Sequence, residues 1–207
     1  MNNLFNSDNP IIEFLGKVAD LLILNFLVLI CCIPIITIGT SFTAMYYVLL
    51  RIHRNESTYI IKDYFYAFKK NFKESMILWI IYLIVAAVLA IDYYLVFLLG
   101  IEFGEGLKYL IYGIIILLLI SMTWGFVLLS RYENTIRQTL INSYCIGFTN
   151  LLRTVIMAVL LVEPWILLII FPVTTPIILL LGISLVGYLQ TLIFNKVFEK
   201  LENEVEQ

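Results

Sequence analysis

The stretch "LICCIPIITIGTSFTAMYY", residues 29–47, sets two cysteines, a proline, a glycine and four serine or threonine hydroxyls into the middle of one apolar run. The whole run extends from Val18 to Leu50. As a single straight helix it would be about 50 Å long at 1.5 Å per residue, well beyond the roughly 30 Å of a bilayer's hydrocarbon core. As two full spans it is somewhat short. Pro34 removes a backbone donor at its centre, and Thr37, Gly39, Thr40 and Ser41 follow. The residues from Pro34 to Ser41 are therefore expected to reverse the chain into a tight helical hairpin. One kinked, tilted helix is the alternative.

Composition makes the bilayer the relevant solvent. Of 207 residues, 62% are hydrophobic and 14% charged, with a mean hydropathy of +0.99. Soluble domains lie near 45–50% apolar and about 25% charged. A net charge of −2 offers no electrostatic footprint for nucleic acid. Cys31 and Cys32 are adjacent and Cys145 stands alone, which matches neither a disulfide scaffold, a metal quartet nor a CxxC pair. His53 is the only histidine, so no histidine-rich metal site is expected. The segment before the first apolar run is acidic apart from Lys17, and no small-residue cleavage site closes that run. The first segment is expected to stay as a span.

The fold class read from this is all-α: a polytopic transmembrane bundle in one domain, residues 1–207, with six membrane segments, or five if the opening run is not a hairpin. The segments are about 18–34, 36–50, 75–99, 107–130, 151–171 and 176–194. The last two are divided by "PVTTP", where Pro172 and Pro176 favour a break. Arg51, Arg54, Lys62, Lys69, Lys70 and Lys73 crowd one connection, and Arg131, Arg137 and Arg153 another. The turn at 100–106 carries Glu102 and Glu105 and no basic residue. Basic connections face the cytoplasm, which puts the C-terminus there, and the N-terminus too if the first run is a hairpin.

The first basic connection has a pattern of its own. Ile61, Phe65, Phe68 and Phe72 recur at helical spacing, with Lys62, Lys69 and Lys73 on another face. An amphipathic cytoplasmic helix over about 59–73 follows, suited to an interface with lipid or a partner, or to packing under its own bundle. A second is expected over about 135–150. Tyr144, Gly147, Phe148 and Arg153 lie 80 positions after Tyr64, Ala67, Phe68 and Lys73, and Arg131 follows Arg51 by the same interval. This suggests a repeated unit of membrane hairpin plus amphipathic helix.

An ionisable group inside a span is costly and marks a functional candidate. Glu163, followed by Pro164, is the strongest; a glutamate that fixes helix packing is the competing reading. Asp92 lies nearer the end of its span, and Asp20 and Asn25 near the start of the first, where they suit interhelical hydrogen bonds. Nothing basic adjoins Cys31 or Cys32, so they read as packing residues. Gly39 with Thr43 and Thr40 with Ala44 are small residues at a spacing that lets helices approach. Trp79, Trp124 and Trp165 fall within spans, to anchor or to pack. No nucleotide loop, zinc signature or serine elbow is present, so no catalytic, cofactor-binding or metal-ligating residue is assigned and an enzyme is not expected.

The first third of the chain also resembles a family. Cys32, Pro34, Thr37, Gly39 and Ala44, with Tyr46 or Tyr47, follow the pattern of the YesL-like integral membrane proteins; so do Phe68, Asn71 and Phe72, and later Arg131, Tyr132, Glu133 and Asn134. The resemblance implies a multi-pass protein of the bacterial cytoplasmic membrane, from a family without assigned activity or catalytic residues. It also implies an association with carbohydrate uptake. Two expectations follow. One is a non-enzymatic accessory or regulatory component that contacts lipid and a sugar-transporter complex, with Lys62, Lys69, Lys70 and Lys73 as its surface. The other is a small secondary transporter or channel, working as a homo-oligomer, for an unknown solute.

Overall fold

The computed structural model describes residues 10–95, 105–171, 173 and 175–205, and every regular element in them is helical. The opening run resolves as a hairpin. Helix α1 spans Pro10–Cys31, a single 3₁₀ turn spans Ile35–Thr37, and α2 spans Ile38–His53. Thr37 Oγ1 lies 2.6 Å from the Cys31 carbonyl and 2.8 Å from that of Pro34, so its one proton is shared between two carbonyls at the break. With those acceptors satisfied locally, the helix restarts at once. The reversal is thus confined to residues 32–37 rather than 34–41, and Gly39, Thr40 and Ser41 belong to α2.

Those three residues serve packing. A Cβ on Gly39 would lie 2.6 Å from Trp79 Cβ and 2.8 Å from the Ser75 carbonyl, so only glycine lets α2 and the next long helix touch there. Thr40 donates to the Phe72 carbonyl at 3.4 Å, Ser75 to Thr43 Oγ1 at 2.9 Å, and Trp79 Nε1 to the Ile35 carbonyl at 2.8 Å. Helix α2 is the centre of the bundle, buried against α1 and against each of the elements α3, α4, α5 and α9 defined below.

Helix α3 spans Ile60–Lys70 and α4 spans Phe72–Tyr93. The single amphipathic helix expected over 59–73 is therefore broken at Asn71, and Phe72 and Lys73 begin a new helix. Asn71 leaves the helical range (φ −100°, ψ 11°), and both its backbone N–H, at 3.0 Å, and its side-chain amide, at 3.1 Å, donate to the Ala67 carbonyl, closing the end of α3. Helix α5 spans Glu105–Arg131. Helix α6, Ile136–Thr149, opens with a capping box in which Thr135 and Gln138 satisfy each other's backbone donors. Helix α7 spans Leu151–Ile170 and carries Pro164 within it. A short turn, α8, covers Thr175–Ile177; a π segment covers Ile178–Gly182; and α9 covers Ile183–Val205. Helix α7 ends before "PVTTP" and α8 begins within it, with Pro176 in its short turn; Pro172 lies outside the described residues, as does most of the acidic turn at 100–106.

Among the described residues, six helical stretches are long and apolar enough to cross a membrane: Phe14–Cys31, Ile35–His53, Phe72–Tyr93, Lys108–Arg131, Leu151–Ile170 and Leu180–Glu202. The core where α2, α5 and α9 meet is aromatic. Trp124 stacks edge-on to Phe194, with centroids 5.1 Å apart, and Phe194 lies parallel to Phe198.

Candidate functional site

Polar side chains inside the bundle are joined to one another. Asn25, fully buried in α1, accepts the backbone N–H of Ser184 at 3.0 Å, just after the π segment. The Ser184 hydroxyl in turn donates to the Leu21 carbonyl. Tyr82 of α4 meets Ser121 of α5 at 2.8 Å, and Ser121 meets Ser143 of α6 at 3.2 Å. Tyr64 of α3 meets Ser41 of α2 at 2.6 Å, and burial pushes its hydroxyl well above the ordinary phenol range. Tyr46 donates to Gln190 Oε1 at 2.6 Å, and Gln190 Nε2 donates to the Met157 carbonyl at 3.0 Å. Each contact ties two helices together and leaves no chain of open polar groups through these positions.

The acidic candidates are not brought together. Asp20 and Asp92 are half-buried on α1 and α4, and no hydrogen bond or ion pair joins either to a described residue. Glu163 is exposed on α7, at a groove of about 540 Å³ between α5 and α7 whose other lining is almost wholly apolar. It has no hydrogen-bond partner among the described residues.

Charged chemistry collects at the other end of α5. A cavity of about 390 Å³ opens among Arg51, Arg54, Glu56, Arg131, Tyr132 and Glu202. Arg51 pairs with Glu56 at 2.8 Å and with Asp63 at 3.0 Å, which binds α2 to the start of α3. Arg131 reaches Glu202 of α9 at 2.7 Å and lies 4.7 Å over the Phe198 ring. Tyr132 donates to the same carboxylate at 3.0 Å, and Asn195, whose Nδ2 is buried without a partner, accepts weakly from Arg131. The two arginines flagged by the 80-residue interval thus stand on one cavity. Their partners Glu56, Asp63 and Glu202 were missed, because isolated acids near helix ends carry no pattern. The cations are balanced by these carboxylates, so the cavity is a junction of α2, α5 and α9 more than a bare anion site.

Helix α3 presents the remaining charge. It buries Ile60, Tyr64 and Ala67, whereas Ile61, Phe65 and Tyr66 stay exposed, at 56%, 42% and 55%. Of the two roles open to the apolar stripe, Ile61 and Phe65 are thus turned outward rather than packed under the bundle; Phe68 is half-buried between the two faces. Lys70 pairs with Glu133 at 2.7 Å, while Lys62, Lys69 and Lys73 are exposed and have no ion-pair partner among the described residues.

Cys31 and Cys32 are half-buried free thiols at the hairpin and Cys145 is exposed. Among the described residues no group of histidine, cysteine and acidic side chains is placed to hold a metal. The remaining pattern residues are structural in their contacts: Ala44 is fully buried in α2, and Cys32, Pro34 and Thr37 build the turn. Trp79 and Trp124 pack and donate hydrogen bonds within the bundle.

Residues 21–93 match a family described as "Protein of unknown function, DUF624". The match covers α2, α3, α4 and the second half of α1, and so contains the hairpin, the Gly39 contact and the Asn71 junction. No curated protein matches the chain, and no solved structure does.

Proposed function

We propose that this protein is a non-enzymatic accessory or regulatory subunit of the bacterial cytoplasmic membrane that acts by docking on a transporter. The observation that carries the reading is the outward face of α3. Ile61, Phe65 and Tyr66 stay exposed beside the unpaired lysines Lys62, Lys69 and Lys73, although an equally apolar face of the same helix is buried. A basic amphipathic face of this kind suits the membrane interface or an acidic partner surface. The basic connections set this face on the cytoplasmic side by the positive-inside rule. The resemblance to YesL-like proteins supplies the partner class, a carbohydrate-uptake system. The interior is compatible with the same reading, since Asn25, Tyr46, Tyr64, Tyr82, Ser121, Ser143 and Gln190 are engaged between helices.

The test is isolation of the tagged full chain in mild detergent, with identification of co-purified subunits by mass spectrometry. A sugar-transporter subunit is expected, and K62E/K69E/K73E should reduce its recovery. Recovery of nothing above background, with growth on individual sugars unaffected by deletion, would refute the proposal. The alternative, a small transporter or channel, has Glu163 with Pro164 and the internal repeat in its favour, but the apolar lining of its groove means that several copies would have to enclose any polar path. Solute flux in vesicles that falls in E163Q would support it.

A further inference from the structure

Glu163 poses a problem that the chain does not solve by itself. It is exposed in the interior of a span and has no donor among the described residues. Hydrocarbon cannot supply one, and carboxyl groups at this depth are kept where something pairs with them. The groove beside it has the shape of an answer. Its α7 wall runs from Leu151 to Leu167, about 24 Å of helix at 1.5 Å per residue, most of the thickness of the hydrocarbon core and far longer than a small solute. Across it stand Ile116, Leu119 and Ile120 of α5. Ala158 lies in the wall one turn from Thr154, a spacing that lets another helix come close. Among the described residues, helix α7 is also the span least buried by the rest of the chain.

We propose that the α5–α7 groove receives a transmembrane helix of a partner subunit, and that this helix presents a lysine or arginine opposite Glu163. The occupant is set by charge complementarity: a groove apolar along its length, broken by one carboxylate, matches an apolar helix broken by one cation. The identity of that subunit rests on the accessory-subunit reading; the groove and its chemistry do not.

The probe is a fluorescent polyleucine helix with one central lysine, reconstituted with the full chain in phosphatidylcholine vesicles and followed by energy transfer to an acceptor label on the protein. Association is expected to be about three- to twentyfold stronger than for the all-leucine helix, the range of interhelical polar contacts. E163Q should abolish that margin and E163D should retain it. A double variant, E163L/I84E, moves the carboxylate to a lipid-facing position on α4 and should lose the margin as well. Equal association of the lysine and leucine helices, an unchanged margin in E163Q, or full capture by E163L/I84E would each overturn the proposal. So would disulfide formation between two copies of a V159C chain in the absence of probe, which would assign the groove to a second copy. A positive probe result with no transporter recovered in detergent would leave the groove assignment standing and count against the accessory reading alone.

Discussion

Asn71 and Asn150 do the same thing at two places in the chain. Each stands between a short helix and a long one, and each side-chain amide donates to the carbonyl four residues back, Ala67 at 3.1 Å and Ile146 at 3.2 Å. Four residues on, Ser75 and Thr154 hydrogen-bond to the preceding long helix, Ser75 to Thr43 of α2 and Thr154 to Trp124 of α5. The sequence α2–α3–α4 is thus repeated as α5–α6–α7, with an arginine in the last turn of the first helix of each, Arg51 and Arg131. Each of these carbonyls also accepts the asparagine's own backbone N–H, at 3.0 Å, so alanine removes one of two hydrogen bonds at the bend. Each substitution is expected to cost about 1 kcal/mol, read as a lowered Tm in detergent, with the two effects additive because the junctions are separate.

The Gly39 contact gives a sharper outcome. Its missing Cβ faces the Trp79 Cβ and the Ser75 carbonyl, atoms that move only if α2 and α4 part. G39A is expected to destabilise by about 1–3 kcal/mol and to weaken the Trp79–Ile35 hydrogen bond, visible as a shift in tryptophan emission. Gly113, with nothing within 4 Å of a built Cβ, is the control: G113A should leave Tm unchanged or raise it.

How much of this was legible beforehand follows from what a bilayer does to sequence patterns. The number of spans and the break at Pro34 could be read, because hydrocarbon thickness and a missing donor are both written in the chain. The packed faces could not. In water an apolar stripe is an inward stripe, but in α3 Ile61 and Phe65 point out while Tyr64 and Ala67 point in. In the spans the buried positions include Ser41, Thr43, Ser75 and Ser121, small hydroxyls that a hydropathy profile ranks as less apolar than the lipid-facing leucines. The repeat was visible but set one residue off at its junctions. Tyr144 aligns with Tyr64 at an interval of 80, yet Ser143 is the residue that reaches the core hydroxyl, as Tyr64 does at Ser41. Glu163 stood out for its charge, while the groove beside it depends on how α5 and α7 splay.

The Lys70–Glu133 pair links the two repeats at the surface, and its pH dependence has a definite sign. Lys70 holds the Glu133 carboxyl below its ordinary value of 4.5, and Glu133 raises Lys70 above its ordinary 10.5. The pair's contribution is therefore present above the unfolded carboxylate value and is lost as pH falls through the depressed one. At the alkaline end it is lost only as pH rises through the raised lysine value. Glu133 is largely exposed, so the effect is small and screened by salt. E133Q should shift Tm slightly at neutral pH and low salt, and not at all in about 1 M salt or at pH values below the depressed carboxylate value.

Arg131 fastens the end of α9 to α5 through Glu202 and lies over Phe198. Lysine keeps the charge but loses the planar face and the fork of donors. R131K is expected to expose the tail beyond Phe198 to limited proteolysis and to lower stability by about 1–2 kcal/mol. E202Q, which keeps an acceptor, should do less. Equal protection of the tail in R131K and the parent would show that the packing of Phe198 suffices without the guanidinium.

Gln190 offers the test that separates packing from polar pairing. It is 1% exposed and bridges two helices, accepting from Tyr46 and donating to the Met157 carbonyl. Interhelical hydrogen bonds in membranes are worth about 0.6 kcal/mol on average and up to about 1.7, and a buried hydroxyl left without an acceptor costs more than the bond itself. Q190L strands the Tyr46 hydroxyl, so it should lower stability by more than Y46F does. In the double variant Y46F/Q190L the stranded hydroxyl is gone, and the loss should be smaller than the sum of the two single losses. The difference, measured as a double-mutant cycle in detergent unfolding, is the coupling across the α2–α9 contact. A coupling of zero would mean that Tyr46 finds another acceptor when Gln190 is removed, and that the T-shaped contact between Tyr46 and Phe194 holds α2 against α9 on its own.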